Sequence, residues 1–431
     1  MSFSRRDRRG PEGIPRPPGP EVRGAEEPPS DRMGPSFHPP RSATLLLILL
    51  LPLPLFGQEA TTTPAGWEVT GIPALNYDSD EGFGYGVVMA LFDYGPFGVL
   101  PYRTTIQPTL FLTTKGRREL TVFFDAPHLP GNWRLDTFLG WEKQIATPYY
   151  GPGNDSPFDA AAMEGENPYF YRYGRERRVL RVNLQRLLGG LPIRILVGGQ
   201  MAHFGIDPTP RDEGTTLLLE DLGPGAIIPG GDQNSIRGGL VWDTRNRESG
   251  AERGVWSAVL VERVAEALGS ESSFTRWTLT DRRYFTLRRR LVLANRFTLQ
   301  NVSGSPPFYA LTYVQSSFGE TEALGGAKSV RGVLRNRYFG EGLFFWNLEL
   351  RWRGWDFRVV GRDAHLALIG FLDSGRVWEG GVDLSSLLAD LHHGAGGGLR
   401  FGLGPNFVIA TDLATSHETG LQTYIGLGYL F

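Results

Sequence analysis

Long segments of this chain alternate apolar and polar residues with a period of two, and the polar face carries arginines. In 343–353, Phe344, Trp346, Leu348, Leu350 and Trp352 share one face of an extended chain, and Asn347, Glu349, Arg351 and Arg353 share the other. In 285–300, Phe285, Leu287, Leu291, Leu293, Phe297 and Leu299 oppose Arg288, Arg290, Arg296, Thr298 and Gln300. In 399–413, Leu399, Phe401, Leu403, Phe407, Ile409 and Leu413 oppose Arg400, Gly402, Gly404, Asn406 and Asp412, and in 179–186 Leu180, Val182 and Leu184 oppose Arg181, Asn183 and Gln185. A period of two specifies strands, and these runs are longer than strands of soluble domains usually are. The arginines decide which face points in. A packed apolar core rejects long charged side chains, whereas a hydrated lumen accepts them and leaves the apolar face for lipid. A bilayer leaves no water to satisfy open sheet edges, so the sheet is expected to close on itself. The fold class expected is all-β, a transmembrane antiparallel β-barrel.

From Trp67 to Phe431, a strand and turn every 20–25 residues or so gives roughly 15–18 strands, and even numbers are the rule for such barrels, so 16 is expected. The longest irregular stretches, 144–175, 205–233 and 316–341, are expected to be extracellular loops. Helical periodicity is weak everywhere and best at Leu384–Leu391. Ahead of the barrel, residues 1–42 are rich in Arg, Pro and Gly and read as a disordered leader, with Met33 an alternative start. The apolar run Ala43–Phe56 is too short to span a bilayer and fits the hydrophobic region of a signal peptide, with cleavage near Gly57–Ala60 inside a 43–60 segment. Pro52 and Pro54 argue further against a membrane helix. The barrel is thus expected to occupy 67–431.

Composition removes several functions. A formal net charge of -2 gives no electrostatic basis for nucleic-acid binding. Without cysteine there is no disulfide, thiolate metal site or cysteine nucleophile. The chain lacks a Gly-x-Ser-x-Gly elbow, and the seven histidines (38, 128, 203, 365, 392, 393, 417) show no ligand spacing. His392-His393 beside Asp390 reads as a solvated turn rather than a metal site. Gly394–Gly398 lacks the Gly-Lys-Ser/Thr ending of a phosphate loop and reads as glycines in a crowded strand. No catalytic residue, metal or cofactor is expected, and the protein is read as not an enzyme. The lumen arginines either solvate the interior or favour anionic groups.

The chain ends Gln422-Thr423-Tyr424-Ile425-Gly426-Leu427-Gly428-Tyr429-Leu430-Phe431, with Ile425, Leu427, Tyr429 and Phe431 on one face of a strand running to the last residue. Tyr424, Gly426, Tyr429 and Phe431 resemble the C-terminal insertion signal of outer-membrane barrels, which an assembly machine can capture by β-augmentation. Gly325–Val333, containing Val330, Arg331 and Gly332, resembles the lid-loop signature of the BamA/TamA superfamily, the bacterial surface antigen family; Val333 stands where that signature has an aromatic residue. The resemblance implies that this loop folds into the lumen and that Arg331 meets acidic wall residues. Gly370–Gly375 resembles the family's Gly-Phe-x-Asp-x-Gly strand and Asn347–Arg351 the strand after the loop, which makes Asp373, Glu349 and Phe371 the implied partners. Parity places Phe371 with Asp373, and Asn347 with Glu349. Trp242–Asn246 with Gly254, Tyr150–Asp155, and Asp80–Gly86 resemble, respectively, a strand-turn-strand, an early loop and the first hairpin of the family.

Between the signal-peptide region and the first strand there is no room for the periplasmic POTRA modules of the family's assembly factors, so the resemblance is to a branch without them. It implies a protein of the bacterial outer membrane acting in membrane biogenesis or in protein or lipid transport, through a weak seam between the first strand (about 82–92) and the last (422–431). The partners implied are outer-membrane lipid, the barrel assembly machinery for its own insertion, and a periplasmic POTRA-bearing or carrier protein. The alternative is a passive pore or structural barrel without insertase activity.

Overall fold

The computed structural model describes residues 65–431 except 79–81, 165–166, 211–213, 224, 229, 360 and 383. The leader at 1–42, Met33 and the 43–60 segment lie outside the described residues. Sixteen strands form one antiparallel meander: β1 Trp67–Asp78, β2 Gly82–Asp93, β3 Thr104–Thr113, β4 Arg118–Leu129, β5 Trp133–Pro148, β6 Arg172–Leu187, β7 Ile193–Asp207, β8 Ser235–Asp243, β9 Gly254–Val264, β10 Phe274–Arg288, β11 Leu291–Gly304, β12 Gly342–Val359, β13 Arg362–Trp378, β14 His392–Leu403, β15 Phe407–Ser416 and β16 Gln422–Leu427. Each pairs with the next in sequence. Among the described residues the long strands number the sixteen expected; with Gly231–Asp232 counted the sheet has seventeen. The two-residue segment Gly231–Asp232 adds a short pairing to β7.

The faces are inverted relative to a soluble protein. On β6, Arg181, Asn183 and Gln185 are buried inward while Leu180 and Val182 face out. On β12, Asn347, Glu349 and Arg351 are buried while Trp346, Leu350 and Trp352 are exposed. A register shift between Arg353 and Trp355 resets the parity, so that Trp355 and Phe357 also face outward. Exposed apolar walls around buried arginines suit lipid outside and a polar interior. Among the described residues no helix is long and apolar enough to cross a membrane.

Two runs that read as single strands are hairpins. The 285–300 run bends between β10 and β11, and the 399–413 run bends between β14 and β15. Directly paired residues share a face, and Phe285 pairs with Leu293 and Phe401 with Ile409. All four are odd-numbered, so the alternation reads through each turn unbroken. Arg288 and Arg290 therefore sit at a turn and not on the lumen wall; Arg290 reaches Asp356 at 2.9 Å with φ +71°. Leu384–Leu391 forms turns, with Leu384 and Leu388 exposed, so the helix weakly expected there is absent. A one-and-a-half-turn helix occurs instead at Leu217–Leu222, capped by Thr216, and six residues are too few for a periodic signal.

The first strand is Trp67–Asp78, and the 82–92 stretch expected to be first is β2, paired with it in a hairpin; β1 and β16 share no ladder among the described residues. At the short-turn end, side chains from other elements bridge the two sides: Arg362 of β13 lies 3.1 Å from Glu68 of β1, and Asn406, in the β14–β15 turn, donates to the Tyr94 hydroxyl at 3.0 Å and to the Pro101 carbonyl at 2.8 Å. The last strand stops at Leu427, not at Phe431. Gly428 has φ +80° and turns the final three residues out of the sheet and into the lumen. There Phe431 packs against Ala251, Tyr284 and Ala294. This departs from the expected placement of Tyr429 and Phe431 on one strand face with Ile425 and Leu427. An inward tail gains burial among lumen side chains that an extended one would forgo, and it leaves β16 with six residues.

The long loops gather at one end, spanning 149–171, 208–234 and 305–341 between strands. The last begins eleven residues before the expected 316. It fills the lumen beneath that end, where Val314, Leu324, Val330, Val333, Tyr338 and Phe339 join Tyr149, Tyr173, Leu343, Phe345 and Val377 of wall and neighbouring loop in one apolar cluster.

Candidate functional site: a loop locked to the lumen wall

The 305–341 loop enters the lumen with two arms. One is a hairpin, Tyr313–Gln315 paired with Glu320–Glu322. Its tip brings Phe318 against Trp256 and under the Arg134 guanidinium, 4.6 Å from the ring centre. Glu320 pairs with Arg177 of β6, and the Arg181 side chain donates to the Phe318 carbonyl at 3.0 Å. Burial would raise the Glu320 carboxyl, but Arg177 and Arg181 outweigh it and hold the group at about 2.

The other arm carries Val330, Arg331 and Gly332. Arg331 is fully buried, and its side chain reaches three carboxylates on three strands. Nε and Nη2 donate to Asp373 of β13 at 2.7 and 3.0 Å, a bidentate fork. Nη1 donates to Glu349 of β12 at 2.8 Å and to Asp412 of β15 at 3.2 Å. The Arg331 backbone N–H also donates to Asp373, at 3.1 Å. Phe371 stacks beneath the guanidinium with its ring centre 3.4 Å away.

Each of the three carboxylates also meets a further cation or amide. Arg351 donates to Glu349 at 2.8 Å, and Arg400 donates to Asp412 at 2.6 and 3.0 Å. Asn347 donates to Asp373 at 2.8 Å and to the Ser329 carbonyl at 2.6 Å, and its own carbonyl accepts from Arg296 at 2.9 and 2.7 Å. Arg331, Arg351 and Arg400 thus balance Glu349, Asp373 and Asp412. Charges with this degree of mutual hydrogen bonding persist without water, whereas one left alone would not.

Backbone geometry sets the approach. Gly332 has φ +95°, and a Cβ there would lie 2.5 Å from the Thr415 carbonyl oxygen. A Cβ on Gly394 of β14 would lie 1.8 Å from the Arg331 carbonyl oxygen, so this glycine is where the loop rests on the wall. Gly332 donates to the Tyr424 hydroxyl at 3.0 Å and accepts from Ser416 at 3.0 Å. Val330 and Val333 are both buried in the apolar cluster.

The C-terminal residues join the same assembly. Tyr424 faces the lumen from β16, while Gly426 pairs with Ala410 in the ladder. The Phe431 carbonyl accepts from Arg351 at 3.0 Å, and Arg296 and Arg351 lie over its ring at 5.1 and 4.9 Å. Tyr429 lies under Arg351, 4.8 Å from its guanidinium. Arg351 therefore ties the chain end to the Arg331 site through Glu349.

Sequence reasoning named Arg331, Glu349, Phe371 and Asp373, which the structure brings together. It left Asp412 and Arg400 unassigned, although both stood on the polar face of 399–413. It also missed Arg337, whose guanidinium links three loops by donating to Glu418 at 2.7 Å, to the Ser156 hydroxyl at 2.8 Å and to the Ser156 carbonyl at 2.7 Å. His392 and His393 do not form a solvated turn. They begin β14, His392 stacked on Tyr338 at 3.7 Å and His393 2.8 Å from the Ser374 hydroxyl. Among the described residues no group of three potential ligands is placed to hold a metal.

An inside-out antiparallel sheet of sixteen strands, with its lumen shut by its own loop, defines an outer-membrane β-barrel. Residues 230–428 match the Omp85 superfamily domain. CdiB from Escherichia coli is similar in structure, with a TM-score of 0.55 at 14% identity over 90% of this chain and 67% of that one. BamA from Haemophilus ducreyi lacking POTRA domains 1–3 gives 0.49 at 14% identity over 85% and 69%, and CdiB from Acinetobacter baumannii gives 0.45 at 13% over 84% and 60%. No curated protein sequence matches the chain. Residues 230–428 thus resemble an Omp85 superfamily domain, and the protein's place is the bacterial outer membrane.

Proposed function

We propose that this barrel serves outer-membrane biogenesis or moves protein or lipid at the outer membrane, without catalysing a reaction, and that its working part is the seam between β1 and β16. The observation that supports the reading is that, among the described residues, β1 and β16 share no ladder while every other neighbouring pair is zipped. An unzipped pair of edges can template a client strand, and the six-residue β16 offers lipid or chain a gap that a full ladder would close. The Arg331 lock supports a gated lumen over an open pore, because the loop and its cluster fill the interior. Partners supplying periplasmic client delivery, POTRA-bearing or carrier proteins, belong to this proposal, as does reliance on the barrel assembly machinery for insertion.

The test is purification of the native protein after crosslinking, together with planar-bilayer conductance. Recovery of a POTRA-bearing protein or lipid carrier, with low conductance that rises in Arg331→Ala, is expected. A large steady conductance that Arg331→Ala leaves unchanged would establish the passive-pore alternative and sink the proposal.

A further inference from the structure

Outside the lumen, the lipid-facing wall has a dent near the long-loop end. It holds roughly 390 Å³ and is lined by Leu180, Val182, Gly199, Met201, Asn234 and Leu268. It exists because Gly199 presents no side chain between Val182 of β6 and Ile236 of β8, its paired neighbours. The short turn Glu266–Leu268 overhangs it, held down by Asn234, which donates to the Leu268 carbonyl at 2.9 Å. Met201 beside it is 64% exposed.

Charges on the strands and loops flanking it are sorted by side. Toward β4, Arg118 pairs in register with Lys143, Lys143 with Glu176, and Trp141 with Arg178. Arg178 stands two residues from Leu180 and thus borders the dent. It lies 2.8 Å from Glu176, which also accepts from the Trp141 indole at 3.0 Å, and Arg118 lies over the Trp141 ring. Three cations therefore face a single carboxylate on this side. Toward the loops, Asp232, Glu266 and Glu271 supply carboxylates, Asp232 beside His203 at 2.7 Å. On that side Arg263 donates to Thr275 at 3.0 Å.

We propose that this dent is a binding site for a phosphorylated glycolipid of the leaflet at the long-loop end. One acyl chain lies in the Gly199 dent, a phosphate meets Arg178, Lys143 and Arg118, and sugar hydroxyls face the carboxylates of the loop side. The chemistry fits the surface part by part. Apolar tails favour the Leu180, Val182 and Met201 walls. Phosphate favours a guanidinium cluster, and sugar hydroxyls can donate to carboxylates, which when ionised only accept. The tryptophan among the cations sits where amphipathic rings anchor at a membrane interface.

The full chain, reconstituted in phosphatidylcholine nanodiscs doped with diphosphorylated or dephosphorylated lipid A, would be released into detergent and weighed by native mass spectrometry. Wild type is expected to retain the diphosphorylated lipid in preference to both other lipids. Arg178→Ala combined with Lys143→Ala should lower that retention about tenfold, by loss of charge-assisted bonds. Val182→Trp, which fills the dent without touching charge, should lower it comparably. Both variants alter only the outer face, and urea midpoints equal to wild type would show the barrel intact. Equal retention of phosphatidylcholine, retention unchanged in both variants, or a dimer mass without bound lipid would each overturn the site.

Discussion

Replacing Arg331 with methionine should cost about 3–5 kcal/mol, and the structure says where that cost falls. Glu349 would keep Arg351 at 2.8 Å and Asp412 would keep Arg400 at 2.6 Å. Asp373 would keep only the Asn347 amide at 2.8 Å and the backbone N–H of residue 331. The penalty is therefore that of one buried carboxylate stripped of its cation, for which about 3–5 kcal/mol is usual. Adding Asp373→Asn to Arg331→Met removes the orphaned charge. The double variant should regain most of the loss and end about 1–2 kcal/mol below wild type, the worth of the missing neutral bonds. Urea titration of the protein in lipid vesicles, read by the fluorescence of its ten tryptophans, gives the midpoints. A double variant no more stable than Arg331→Met alone would refute the assignment of Asp373 as the residue that depends on Arg331.

Gly394→Ala should dislodge the loop with no change of charge, since its Cβ would meet the Arg331 carbonyl oxygen at 1.8 Å; a loss of at least about 2 kcal/mol in the same titration is expected. Phe431→Ala should cost about 3 kcal/mol through the cavity left among Ala251, Tyr284 and Ala294, seen as a lower urea midpoint and earlier unfolding of the barrel on gels. The Glu320 carboxyl, held at about 2 by Arg177 and Arg181, contributes stability that is complete above its unfolded value near 4.5 and lost as pH falls toward 2. Amide exchange across 313–322 should stay slow above about pH 4.5 and quicken below it, and Glu320→Gln should show the fast exchange at neutral pH.

The architecture was open to sequence reading because a barrel in lipid writes its two environments into alternate residues. Arg181 beside Val182 and Glu349 beside Leu350 state which face is wet, and sixteen strands follow from the length of the alternating region. The turns at 289–290 and 404–406 were hidden by the same regularity, since paired positions of like parity carry the pattern across a hairpin without a break.

At the site, Arg331 with Asp373 and Glu349 could be named because they lie in short motifs whose parity points into the lumen. Asp412 and Arg400 could not be assigned to it: they come from β14 and β15, and nothing local in the sequence says that this hairpin lies beside β13 with Gly398 leaving room for the Asp412 carboxylate, where a Cβ would stand 1.9 Å away. The chain end shows the same division. Sequence alone read 422–431 as a strand, because its side chains alternate, and 422–427 is one. Only the tertiary structure decided that Gly428 turns Tyr429 and Phe431 inward, because that depends on arginines 296 and 351 of two distant strands waiting in the lumen to receive an aromatic ring.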